Sequence, residues 1–166
     1  MVASKVASTK DSTLVIIDAQ NEYAEGKLTV KNIASSRKVI HALLEKYRAS
    51  GGNVVHVVHD TPRAPPSSHP APSSPRSSRS SRPATAKSPA PRVDWKQKLV
   101  LVGYMAHVCI STTARSGARF GYDIVVVEDA VGDRDIPGAD ADQLVKVALA
   151  EIADAFGTIV QSSDIN

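Results

Sequence analysis

One cysteine, Cys109, in 166 residues leaves no partner for an internal disulfide, so the fold must be held by burial and hydrogen bonding. Aromatic residues are scarce, at 4%, and the core must therefore be built from aliphatic side chains and alanine. No apolar run is long enough to span a bilayer. The stretch from Met1 to Ser12 is polar and lacks the apolar centre of a secretory signal. Together these absences predict a soluble cytoplasmic protein with no membrane partner. The length suits a single domain, residues 1–166, with a sizeable core.

Acid is also missing, but only locally. Residues 62–92 contain Arg63, Arg76, Arg79, Arg82, Lys87 and Arg92 and no aspartate or glutamate. Setting those six aside leaves 14 basic residues against 17 acidic ones. The formal charge of +3 thus belongs to one segment, and the remainder is mildly acidic. A nucleic-acid-binding fold would carry its basic footprint on the folded surface, so this class is set aside. Arg76-Ser77-Ser78-Arg79-Ser80-Ser81-Arg82 resembles a short RS tract, which would suit RNA or phosphorylation. It is brief and has no interleaved aromatics. The stretch 62–92 is almost wholly Pro, Ser, Ala and Arg, with no aliphatic side chain larger than alanine. It cannot bury enough apolar surface to offset its ordering entropy, which predicts irregular structure over 62–95.

Outside that stretch, short apolar runs alternate with helical periodicity. Thr13–Asp18, Asn53–His59, Lys98–Gly103, Asp123–Asp129 and Gly157–Val160 read as strands. Helices are expected over 30–50, with Ile33, Ile40, Leu43, Leu44 and Tyr47 in phase, from Cys109 to Phe120, and over 139–155. Continuous apolar strands interleaved with helices predict a three-layer α/β/α fold around a mainly parallel sheet. Ligands of such sheets bind beyond the carboxyl ends of the strands, where Asp18, His59, the 104–109 turn and Asp129 all fall. Cys109 sits where a buried strand turns into a helix. The partial positive charge of a helix start favours thiolate, the nucleophilic form; a buried structural cysteine is the plain alternative.

Three stretches then carry a family resemblance. Leu14-Val15-Ile16-Ile17-Asp18-Ala19-Gln20-Asn21-Glu22-Tyr23 resembles the D-x-Q-N-D-F signature of the isochorismatase-like cysteine hydrolases. Gly103-Tyr104-Met105-Ala106-His107-Val108-Cys109-Ile110-Ser111-Thr112-Thr113-Ala114 resembles that family's nucleophile turn, and Gly121-Tyr122-Asp123 with Val127-Glu128-Asp129-Ala130 its following G-Y-x-V…D-A pattern. The resemblance implies a hydrolase acting on a small amide, vinyl ether or related substrate, with no cofactor and with homo-oligomeric assembly. It makes Cys109 the nucleophile and Asp18 the base. It gives the main chain of Tyr104, Met105 and Ala106 an oxyanion-binding role and a cis peptide at Tyr104–Met105.

The chain also departs from the family. The resemblance implies a lysine well upstream of the cysteine, followed by a small-residue–Phe element and a short helix, and none of these is present. Lys87 is the candidate stand-in, though it lies too near Cys109 and inside the Ser/Pro/Arg stretch; Lys96 and Lys98 fall at the wrong end of a strand. Without a cation, Asp18 and a Cys109 thiolate repel one another, so the chain is expected to be an impaired hydrolase. The alternative is an inactive member of the fold, acting by association or arising from a defective gene product. His56, His59, His69 and His107 lack ligand spacing, and no metal is expected.

The middle stretch has a genetic explanation. Relatives read Pro-Glu-Gly-Ala-Pro-Val-Phe after an H-x-T-P corner, here His59-Asp60-Thr61-Pro62. In GC-rich codons shifted by one base, that peptide becomes Pro-Arg-Ala-Pro-Pro-Ser-Ser, the sequence of residues 62–68. Residues 62–95 are therefore expected to be an out-of-frame or mis-spliced translation, with a further deletion. The coding DNA across this stretch tests it. A neighbouring frame that reads as family-like sequence is the expected result, and its absence overturns the explanation.

Overall fold

A computed structural model of the chain describes residues 7–20, 28–58 and 97–166. Residues 1–58 and 93–166 form one compact unit. The second unit, 59–92, and the expectation of irregular structure over 62–95 lie outside the described residues.

Five strands build one sheet: β1 (Ser12–Ile17), β2 (Asn53–Val57), β3 (Lys98–Tyr104), β4 (Asp123–Gly132) and β5 (Thr158–Val160). Their spatial order is β2-β1-β3-β4-β5, every pair parallel. All six residues of β1 are buried, as expected for a strand covered on both faces. One face packs against helix α1 (Ile33–Ala49), whose Ile40, Leu43 and Tyr47 meet Leu14, Ile16, Val100 and Val125. The other face packs against α2 (Ser111–Arg119) and α3 (Ala141–Ala155) through Ala114, Ala148, Leu149 and Ile152 on Val15, Leu101, Ile124 and Val126. The expected three-layer α/β/α architecture is what the chain adopts.

Local chemistry sets the helix ends. Gly51, at a φ of 67°, stops α1 after a last turn carrying Lys46 and Arg48, which suit the negative end of the helix dipole. Asp140 caps α3 by accepting a hydrogen bond from the Gln143 N–H at 2.8 Å. Buried Tyr47 is satisfied by the Ser12 hydroxyl at 2.6 Å, tying α1 to β1.

Two elements differ from the sequence reading. Strand β4 continues past Asp129 to Gly132, because pairing with β3 resumes after a register break, at Gly103↔Val131 and Tyr104↔Gly132. Asp129 consequently lies inside the strand and accepts hydrogen bonds from the N–H and hydroxyl of Ser162 at 2.9 and 2.6 Å; it is not at the sheet's carboxyl edge. The helix after β3 begins earlier than expected, with a wide π-helical turn, Ala106–Ile110, leading into α2. Cys109 is the fourth residue of that turn and not the first of a helix.

The order of strands matters for the site. The chain moves from β1 outward to β2, then crosses back over β1 to β3, and continues outward through β4 to β5. The direction reverses between β1 and β3, and their carboxyl ends border the crevice where ligands of such sheets bind.

Gly103 is what allows β1 and β3 to end side by side. Its φ is 118°, and a Cβ built there would lie 1.9 Å from the Ile17 carbonyl oxygen. Replacing Gly103 with alanine is expected to cost more than about 3 kcal/mol, measured as a lower denaturant midpoint at unchanged slope. Gly121→Ala is the control. Its φ is 84°, but nothing lies within 4 Å of the added carbon, so only the backbone cost of about 1 kcal/mol applies.

Candidate active site

At the end of β1, Asp18 adopts a left-handed conformation, with φ of 49°, which aspartate tolerates better than most residues. Its N–H still bonds the Val57 carbonyl at 2.9 Å, so β2 holds the main chain while the side chain turns inward. That side chain is buried, the residue being 3% exposed. From β3 the chain passes through a cis peptide, Tyr104–Met105, into the wide turn. The Val108 and Ile110 N–H groups both donate to the Met105 carbonyl, at 3.2 and 3.1 Å. This opens the turn and lays Cys109 over the apolar face that holds Val15, Ile17 and Ile110.

Asp18 and Cys109 meet. The half-buried thiol lies near the Asp18 carboxylate, and its pKa is pushed up to about 11. Burial contributes most, followed by the hydrogen bond and the charge of Asp18, while a main-chain hydrogen bond from Met105 opposes them. The expectation that a helix start would favour thiolate is thus outweighed here. At neutral pH Cys109 is a thiol whose acceptor is already in place.

One Asp18 oxygen, Oδ1, is buried and has no hydrogen-bond partner among the described residues. Two cations on the elements that flank the site are paired with acids. Arg115, on α2, donates to the Ser111 hydroxyl at 3.2 Å, pairs with Glu151 and stacks on the Phe156 ring. Lys98 pairs with Asp123 at 3.3 Å, at the opposite, amino end of the sheet. Lys87 and Lys96 lie outside the described residues, as do His59 and His69. Among the described residues no three His, Cys, Asp or Glu side chains gather as a metal site would require.

The sequence reading missed Asp133. This buried acid, just past β4, accepts hydrogen bonds from the His107 N–H at 3.0 Å and the His107 ring Nδ1 at 2.7 Å. His107 enters the sequence analysis only as a histidine without ligand spacing, because nothing in the local pattern announces a partner 26 residues away. A cavity of about 710 Å³ opens between α1 and α3 over the outer edge of β4, bordered by Ser35, Asp142 and Leu149, but neither Asp18 nor Cys109 lines it.

The model of the Isochorismatase domain matches residues 12–94 and 90–164. The chain belongs to the isochorismatase family. It is 55% identical over 181 aligned positions to a protein of Verticillium dahliae named secreted isochorismatase effector Isc1, covering 99% of this chain and 95% of that one. It is 40% identical to the isochorismatase-like protein asqB of Emericella nidulans, over 99% of this chain and 79% of the relative. An isochorismatase crystal structure from Pseudomonas putida superimposes with a TM-score of 0.73 at 24% identity, covering 96% and 92% of the two chains, and so shares the fold.

The Verticillium relative corrects one expectation. Its name describes a secreted protein, which overturns the cytoplasmic assignment. The physical grounds for that assignment were weak, since a chain with one cysteine forms no internal disulfide in any compartment. The 181 aligned positions exceed the 166 residues of this isochorismatase-family chain by 15, so the relative carries positions that this chain lacks.

Two of the three causes of the raised thiol pKa come from Asp18, so Asp18→Asn is expected to lower it. Alkylation of Cys109 by iodoacetamide should be slow near neutral pH in the parent chain and about tenfold faster at pH 8 in Asp18→Asn, if the pKa falls by about one unit. An unchanged pH–rate profile would show that the carboxylate does not act on the sulfur.

Proposed function

We propose that this chain is built as a cysteine hydrolase, one domain over residues 1–166, with Cys109 as nucleophile and Asp18 as base toward a small amide, vinyl ether or related substrate. The observation that carries this reading is that Asp18 and Cys109, from β1 and the turn after β3, come close enough at the reversal point of the sheet for the carboxylate to raise the thiol pKa. For an amide, the Cys109 sulfur attacks the carbonyl carbon as the thiol proton passes to Asp18. The oxyanion is received by main-chain N–H groups of the turn at Cys109, Met105 and Ala106. Collapse expels the amine, which takes the proton from Asp18 and leaves a thioester on Cys109. Water then hydrolyses that thioester, with Asp18 accepting its proton and returning it to the sulfur.

The same site is impaired in this chain. The buried Asp18 carboxylate has one oxygen with no hydrogen-bond partner among the described residues, and none of these supplies a cation that would hold charge through acylation. Lys87 is the stand-in candidate from the stretch between β2 and β3. The unpartnered oxygen also favours the second reading, an inactive member of the fold. The name of the 55% identical relative supports a site of action outside the cytoplasm, and the family resemblance supports a homo-oligomer.

Turnover of a panel of small amides and vinyl ethers tests both parts. The chain as written is expected to match the Cys109→Ser background. A version with the in-frame middle segment restored is expected to exceed that background by at least about a hundredfold. Fast, Cys109-dependent turnover by the chain as written would overturn the impairment. A restored chain without Cys109-dependent turnover would overturn the hydrolase assignment.

A further inference from the structure

The turn that carries Cys109 begins without a cap. Its first N–H groups have no intrahelical partner, and Met105, which precedes it, makes no capping hydrogen bond. The acceptor comes from another strand. Asp133, just past the end of β4, has a side chain with no exposed surface. A carboxylate so placed is costly unless its oxygens are satisfied. Oδ2 takes the His107 N–H at 3.0 Å and the ring Nδ1–H at 2.7 Å, and Oδ1 takes the Arg134 N–H at 2.9 Å. The Asp133 carbonyl in turn accepts from the Lys31 N–H at 2.8 Å, anchoring it to the segment that leads into α1.

We propose that Asp133 is a positioning residue for Cys109: by holding both the main chain and the ring of His107, it fixes the turn on which the thiol meets Asp18. The inference rests on the reading of Asp18 and Cys109 as the reacting pair. Two bonds converge on one residue of a five-residue turn, and that residue lies two positions before the cysteine. One bond from the main chain sets where the turn starts. The second, from the ring, stops the turn from rotating about the first. The ring must carry its hydrogen on Nδ1, since a carboxylate only accepts.

Loss of the clamp has a directional consequence. A released turn carries the thiol away from Asp18 and toward solvent, which weakens every influence that raises its proton affinity. The freed cysteine should become more reactive toward alkylating agents while becoming less suited to catalysis. General destabilisation would lower the melting point and leave the native-state alkylation profile in place.

The test follows iodoacetamide labelling of Cys109 in the full chain between pH 7 and 10, well below the melting temperature. Asp133→Ala is expected to label about tenfold faster at pH 8, a shift of about one pH unit in the profile. Asp133→Asn keeps a side-chain oxygen for the His107 N–H and is expected to return most of the way to the parent profile. Ser12→Ala, which removes a buried 2.6 Å hydrogen bond to Tyr47 at the amino end of β1, should lower stability without moving the profile. An Asp133→Ala profile equal to the parent's overturns the proposal, as does an equal shift in Ser12→Ala. Should Asp133→Ala fail to fold, His107→Ala, which keeps the main-chain bond, carries the test: faster labelling supports the clamp and an unchanged rate overturns it. If Asp18→Asn leaves the profile unmoved in the same assay, the reacting-pair reading fails, a result separate from either outcome at Asp133.

Discussion

The parallel pairing of β1 with β3 is the constraint on which the other features depend. Six residues pair in register from Ser12↔Lys98 to Ile17↔Gly103, and both strands then end at the same level. That shared end exists because Gly103 has no Cβ, leaving room for the Ile17 carbonyl. Everything that makes a site follows from this meeting. Asp18 turns inward one residue after β1, and the wide turn starts two residues after β3. Neither is close to the other in sequence. The ladder brings them together, and the reversal of strand direction leaves a crevice above them.

The electrostatics of that crevice are lopsided. Two carboxylates, Asp18 and Asp133, flank the turn from β1 and from the end of β4, while Arg115 and Lys98 are paired with Glu151 and Asp123. Acid at the start of a helix is favourable in itself, because it complements the unsatisfied N–H groups and the dipole. It is unfavourable for a thiolate in the same turn. The result is a cysteine kept protonated by its surroundings, with an acceptor in place and no cation beside it among the described residues. A functioning version of this geometry needs a positive group close to the Asp18 Oδ1 oxygen, since the proton transferred from sulfur must be accommodated without two negative charges facing one another in a dry site.

The fold was legible in the sequence to the level of layers and strand types because its signals are local. Runs such as Leu14-Val15-Ile16-Ile17 and Ile124-Val125-Val126-Val127 need both faces covered whatever their neighbours, and α1 announced itself through Ile40, Leu43 and Tyr47. What escaped depended on contacts across the sheet. The extension of β4 to Gly132 comes from a register break opposite Gly103, which no window of the sequence contains. Asp129 and Asp133 are four residues apart and similar in local setting, yet one secures Ser162 and the other His107. The motif resemblance placed Cys109 and Asp18, but it could not give the thiol's protonation state. That follows from burial and from a neighbour 91 positions away in the chain.

The topology also explains how a parallel sheet persists around so foreign a middle stretch. Strands β2 and β3 flank it in sequence, but neither pairs with the other; each pairs with β1. The register of the sheet is therefore fixed by strands outside the stretch, and the connection between β2 and β3 need only be long enough to cross over β1. Loop-closure entropy rises slowly with length, by about 0.6 kcal/mol for each doubling, so the composition of the crossover has little leverage on the ladder. Chemistry is less forgiving. A cation beside Asp18 must come from one residue at one place, and the stretch between β2 and β3 is the part of the chain that this architecture leaves free to change. The sheet can thus keep its order and hold Cys109 beside Asp18 whatever residue that stretch offers to them.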